Sequence, residues 1–313
     1  MNRRSFLFAT AALPLMPLQA HIPPVTAASR LVEGMHTCVL QQGEIAYLDD
    51  GHGPVSLFIH GWPLSGYHWR PMIDVVKSRR RCLAPDLMGL GRTEVGADQS
   101  LSPAAQAQML LDFLDVLSVD AVDVVANDSG TCIAQLLAVA APDRVRSLLL
   151  TNGDVDTNSP PAALAPALAA AREGVLDKLI EQHLVDNDFA HGATGLGGLC
   201  YTDPKKLTPE TMRIYFEPLL SNPIRRRQFQ QYGLQFEPNP LPALRDRLLA
   251  LPIPARMVWG TGDIHFGIEW AYWLDRHLSR SLGVREVAGA KLFFTEEYPL
   301  LMAEEATRLW SMV

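Results

Sequence analysis

Short apolar runs alternate along this chain with longer stretches whose apolar residues recur every three or four positions. The runs are HTCVL, EIAYLDD, VSLFIHG, RRCLAPDL, AVDVVAND, VRSLLLTNG, PARMVWGTGD and VREVAG. VSLFI is apolar almost throughout, as expected of a strand buried on both faces of a sheet. HTCVL and EIAYLDD flank Gln42-Gly43, which predicts a hairpin. The helical pattern is clearest in SPAAQAQMLLDFLDVL, where Ser102 is placed to cap the helix and Pro103 to occupy its first turn. TCIAQLLAVAAPDRV is a second helix, stopped near Pro142, and EWAYWLDRHL and LLMAEEATRLWSMV close the chain. This alternation predicts an α/β fold with a doubly wound, mostly parallel sheet. The pattern breaks between Val155 and Pro254, where prolines, glycines and helical stretches occur with no strong strand. The expected organisation is a core of residues 29–154 and 255–313, with residues 155–254 as a helical cap over the sheet's C-terminal edge, where such folds bind ligands.

Composition narrows the function. The 313 residues are 48% hydrophobic and carry a net charge of -7, which argues against a nucleic-acid partner because that needs a basic face. Cys38, Cys82, Cys132 and Cys200 match neither a disulfide framework nor a zinc site, and read as free thiols. The first 28 residues stand apart. Arg3-Arg4 precede an apolar run from Phe6 to Leu18 that Pro14 and Pro17 interrupt, too short for a stable membrane span. RRSFL has the form of a twin-arginine export signal, so a periplasmic mature protein is expected, with a cytoplasmic one as the alternative.

The chemistry centres on VVANDSGTCIAQLL. An apolar strand runs straight into a helix through Asp128, with Ala126 two positions before it and Gly130 two positions after. A nucleophile elbow needs small residues at those places, because the turn is tight and lifts the central side chain above the sheet. An aspartate here can also act as a helix N-cap. Ser129 as the nucleophile would have the bulkier Asn127 and Thr131 in the flanking places. Three further stretches accompany the elbow: HGWP at His60–Pro63, DLMGLGRTE at Asp86–Glu94, and VWGTGDIHF around Asp263. In this order the four stretches resemble the α/β-hydrolase fold superfamily, in its haloalkane dehalogenase and epoxide hydrolase-like branch, over nearly everything from Gly34 to Val313.

The resemblance implies that Asp128 attacks an sp3 carbon bearing a halide or epoxide oxygen and forms an ester. It implies an oxyanion hole from the backbone N–H groups of Trp62 and Ser129, and an acid, Asp263, that orients a histidine. It implies no metal or organic cofactor, and a small-molecule substrate. Two departures stand out. The branch usually has Trp directly after the nucleophile, where its N–H holds the leaving halide, and this chain has Ser129. The branch also carries its histidine a few residues before a Glu and a Pro. Here Glu296, Glu297 and Pro299 supply that tail, but the histidine slot holds Leu292, and no histidine follows His277. His265, two residues past Asp263, is the candidate replacement, and an exposed or helix-capping loop histidine is the alternative. Lys291, His60, Asp154 and Asp156 are weaker candidates. Cap tyrosines, which epoxide opening uses in this branch, have Tyr201, Tyr215 and Tyr232 as candidates. The expected activity is hydrolysis of a small, largely apolar haloalkane, epoxide or ester. A lyase, isomerase or cyclase using the same pocket, or a non-catalytic small-ligand binder, are the alternatives.

Overall fold

The computed structural model describes residues 34–312, so the expected export signal lies outside the described residues. Among the described residues nine strands form one sheet: β1 (His36–Leu40), β2 (Gly43–Gly51), β3 (Val55–Ile59), β4 (Arg81–Pro85), β5 (Glu94–Val95), β6 (Val122–Asp128), β7 (Val145–Gly153), β8 (Ala255–Gly260) and β9 (Ser281–Val287). Their order is β1-β2-β4-β3-β6-β7-β8-β9, with β5 paired to β2. The pairs from β4 through β9 are parallel, and β1, β2 and β5 pair antiparallel. β5 has two residues, too few to leave a periodic signature in the sequence. Every residue of β6 is buried, as a central parallel strand covered by helices on both faces requires. Ser102 does cap its helix, its side chain accepting from the Ala105 N–H at 3.3 Å.

The chain runs from β3 to β4 on one side of β3, then returns to β6 on the other side. This reversal opens a crevice at the C-terminal ends of β3 and β6, the place where doubly wound sheets bind ligands. Between β7 and β8 the chain is helical, with helices at Ala165–Arg172, Leu176–Val185, Pro209–Leu220, Pro223–Leu234 and Leu241–Leu249 as the longer ones. Asn222 caps one of these through its side-chain oxygen, which accepts from the Ile224 and Arg225 N–H groups at 3.0 Å. Cys82, Cys132 and Cys200 are buried free thiols and Cys38 is a partly exposed one. Among the described residues no helix is long and apolar enough to cross a membrane.

The strand-to-helix junction explains two glycines. β6 passes into helix Ser129–Ala140 with no intervening loop, and Asp128 takes a φ of 56°, a conformation that costs a non-glycine residue about 1–3 kcal/mol. A Cβ at Gly130 would stand 2.6 Å from the carbonyl oxygens of Ile59 and His60, and one at Gly61 would stand 2.3 Å from the Asp128 side chain. Both contacts are with atoms that cannot step aside. Gly130→Ala should therefore lose about 2 kcal/mol or more in urea unfolding. Gly96→Ala, where an added Cβ meets nothing within 4 Å, should stay within about 0.5 kcal/mol of the parent.

Candidate active site

Asp128 sits at the crevice with its side chain buried. Its Oδ2 accepts the Trp62 backbone N–H at 2.8 Å, and the Ser129 backbone N–H also holds the carboxyl. These two donors come from the end of β3 and the start of the helix after β6, so the elbow brings both to one carboxylate. Burial pushes the Asp128 carboxyl up to about 7; His265 and the two N–H donors favour the ionised form, and the Asp263 charge opposes it.

The loop after β8 carries Asp263 and His265. Asp263 Oδ1 accepts the His265 backbone N–H at 2.9 Å and lies 3.1 Å from His265 Nδ1. Asn152 Nδ2 donates to Asp263 Oδ2 at 2.9 Å, and Asn152 Oδ1 accepts the Gly260 N–H at 2.6 Å. The carboxylate of Asp263 is thus an acceptor on both oxygens, which assigns the ring proton of His265 to Nδ1. Nε2 takes no protein hydrogen bond among the described residues. The His265 side chain is 6% exposed. It lines a cavity of about 130 Å³ together with Asp128, Trp62, Cys200 and Leu292. The exposed-loop alternative for His265 does not match this burial.

Leu292 faces the same cavity, and its carbonyl accepts from Asn127 Nδ2 at 3.0 Å. Three of the four weaker candidates are occupied elsewhere. Lys291 Nζ donates to the Gly198 carbonyl. His60 uses both ring nitrogens structurally, Nδ1 to the Gly61 carbonyl at 2.9 Å and Nε2 as acceptor from the Leu87 N–H at 3.0 Å; burial lowers it to about 3 and keeps it neutral. Asp156 pairs with Arg245 at 2.7 Å. Of the three tyrosines, Tyr201 and Tyr215 both donate to Glu296 Oε1, away from Asp128. Tyr232 lies 3.2 Å from Ser129 Oγ, beside the elbow.

Asn152 and the buried partners of Glu296 had no sequence signal that stood out. Asn152 is one polar letter at the end of an apolar strand, and nothing in its neighbours marks it as the support of Asp263. Glu296 is buried with His68 Nδ1 at 3.0 Å and Arg70 at 3.1 Å. Burial alone would raise its carboxyl, but the Arg70 guanidinium and His68 outweigh that and hold it at about 2.

Comparison with known proteins agrees with this architecture. The family model described as alpha/beta hydrolase fold matches residues 54–298. The chain belongs to the α/β-hydrolase fold family. Over 111 residues it is 34% identical to haloalkane dehalogenase 2 of Mycobacterium tuberculosis, a match covering 36% of this chain and 39% of that protein. Over 102 residues it is 35% identical to an epoxide hydrolase of Caballeronia sordidicola, covering 32% and 31%. The matched stretches thus span about two-fifths or less of those relatives. Among solved structures, the epoxide hydrolase CorEH without ligand superposes with a TM-score of 0.72 at 21% identity, over 88% of this chain and 98% of its own. A putative ancestral haloalkane dehalogenase, AncHLD2, gives 0.71 at 23% identity, over 88% and 99%. A membrane phospholipase A gives 0.74 at 22%, over 91% and 90%. At these identities the three structures bear on the fold alone.

Within this α/β-hydrolase fold, the raised Asp128 has a consequence for stability. Its folded value lies above that of the unfolded chain, so the folded state holds more protons between pH 4 and 7, and ionising Asp128 weakens the fold as pH rises through that window. Asp128→Asn removes this loss. The stability of the variant relative to the parent should therefore increase on the order of a few kcal/mol between pH 4 and pH 8, measured by paired urea titrations.

Proposed function

We propose that this protein is a hydrolase that acts on a small, largely apolar substrate through an ester on Asp128, with His265 as the general base in place of a histidine at position 292. The observation that carries the reading is the placement of the His265 ring in the Asp128 cavity while its Nδ1 is bound to Asp263. The relatives named haloalkane dehalogenase and epoxide hydrolase support the same class of chemistry. In the first half-reaction an Asp128 oxygen attacks an sp3 carbon and the leaving group departs. In the second, water attacks the ester carbonyl and His265 Nε2 takes its proton. Asp263 stabilises the imidazolium, and the Trp62 and Ser129 N–H groups receive the oxyanion. Residues 155–254 act as the cap. Leu164, Ala167, Leu176 and Ile180 supply apolar walls above Asp128, which favours a small hydrophobic substrate and keeps bulk water away from the ester.

Leu292 occupies the place from which the branch usually delivers its base, and the imidazole that lines the Asp128 cavity comes from the Asp263 loop. The non-hydrolytic and binder alternatives rested on the loss of a base, and His265 weakens that premise. Trp62 lines the cavity, and its Nε1 is buried without a hydrogen-bond partner, which makes it the N–H donor we assign to a leaving group, given Ser129 after the nucleophile.

The test is trapping. His265→Ala should form the ester on Asp128 and release it roughly 10²–10⁴-fold more slowly than the parent, so that intact-mass spectrometry after mixing with bromoalkanes and epoxides shows a stable adduct mapping to the Asp128 peptide. Release at the parental rate would exclude His265 as the base.

A further inference from the structure

Next to the main cavity lies a second, smaller one of about 20 Å³, bounded by Trp62, Asp128, Ser129, Asp154, Tyr232 and other residues. The two share Trp62, Asp128 and Leu164 as walls. Its size suits one oxygen-sized group, since a water needs about 10–15 Å³ of such space. Beside apolar walls that include Pro160, Phe236 and Phe266, the smaller cavity carries polar groups that the main cavity lacks. Ser129 Oγ and Tyr232 OH, 3.2 Å apart, lie on one side. Asp154 lies on another, 2% exposed, with Oδ1 buried and without a hydrogen-bond partner. The mechanism set out above gives Asp154 no task, yet a buried carboxyl with an unmatched oxygen is costly to maintain for structure alone.

Asp128 and Asp154 differ in one decisive respect. Asp128 is held by two backbone N–H groups and faces His265, all of which stabilise a carboxylate. Asp154 has the Ser159 hydroxyl as a side-chain donor, but its Oδ1 is left without a partner and the Asp128 charge is beside it. When two carboxyls share a site, the one with more donors and a cationic partner ionises and the one with fewer keeps the proton. Burial, and then the Asp128 charge, push the Asp154 carboxyl well above the usual range. The pair therefore supplies one nucleophile and one acid.

We propose that Asp154 is the catalytic acid of this site and that its natural substrate is a small epoxide, whose oxygen lodges in the notch between Asp154, Ser129 and Tyr232. This rests on the reading of Asp128 as nucleophile. The Asp128 carboxylate forms a bond to a ring carbon, the ring C–O bond breaks with its electron pair going to oxygen, and that oxygen takes the Asp154 proton. The product is a hydroxyalkyl ester on Asp128 and a carboxylate at Asp154. Water then adds to the ester carbonyl and gives one proton to His265. The C–O bond to the substrate breaks, His265 protonates the departing oxygen to complete the diol, and the proton left on the Asp128 carboxyl passes to Asp154. Asp128 is again a carboxylate and Asp154 again an acid. A halide needs no proton, so halide displacement does not use Asp154.

The experiment compares single-turnover ester formation from epoxybutane and from bromobutane, read by quenched-flow intact mass, in the full chain. Asp154→Asn should lower the epoxide-to-bromide rate ratio by roughly 100-fold or more. In the parent, both rates should rise as Asp128 ionises near pH 7. The epoxide rate should then fall at higher pH as Asp154 loses its proton, while the bromide rate stays level. The other titratable groups around Asp154 are Asp128 of β6, Cys132 of helix Ser129–Ala140 and Tyr232 of helix Pro223–Leu234. Burial raises the two neutral ones, so neither becomes an anion before Asp128 does. The pH profile needs no variant and decides the matter if Asp154→Asn does not fold. An unchanged rate ratio in the variant, or parallel pH profiles in the parent, overturns the role of Asp154 alone. No adduct from either compound overturns the nucleophile reading, and the role of Asp154 with it.

Discussion

Everything in this site follows from one buried carboxylate. Asp128 is removed from water at the crossing of β3 and β6, where the desolvation of a charge is costly. The Trp62 and Ser129 N–H groups offset part of that cost, and they can do so only because Gly61 and Gly130 let the two strand ends approach. The same donors that hold the carboxylate are the ones that the proposed mechanism uses for the oxyanion of an ester formed on it. The positive φ of Asp128, the two glycines and the register of β3 against β6 are therefore one constraint seen from three sides.

The base is a second consequence. The proposed mechanism needs a histidine in the Asp128 cavity, with an acid behind it, from some loop at the C-terminal edge of the sheet. Position 292 is apolar, and the loop after β8 brings both partners, with Asp263 and His265 only two residues apart. Asn152 fixes Asp263 from the end of β7. The short spacing lets Asp263 Oδ1 hold both the backbone and the ring of His265, so the imidazole is oriented by its own turn. The far side of the molecule's charge network serves a different purpose. Glu296 gathers His68, Arg70, Tyr201 and Tyr215, joining the segment after Leu292 to the helical insertion. It also turns two tyrosines away from Asp128, leaving Tyr232 beside the elbow.

Much of the fold was legible because strands buried on both faces are written as unbroken apolar runs, and VVANDSG joins such a run to a helix with small residues where the turn is tight. The alternation fixed the parallel sheet, and its interruption marked the helices between β7 and β8. Candidate residues that depend on local pattern were also legible: Asp128, Trp62, Ser129, Asp263 and His265 all fall around one crevice. Residues that act across long sequence separations were not. Asn152 was not singled out, and Asp154 and Glu296 were named without their partners, because each takes its meaning from what packs against it and a single polar letter carries no record of that. Tyr201, Tyr215 and Tyr232 looked equivalent in sequence and are separated only by which acceptor each one meets.

The central claim is that water attacks an ester carbonyl on Asp128 and not the substrate carbon directly. A single turnover in oxygen-18 water, with substrate below enzyme, tests it. The account predicts that the heavy oxygen appears in the carboxyl group of Asp128, found by mass in its peptide, while the first product molecule carries none. Heavy oxygen in that first product with an unlabelled Asp128 would contradict it.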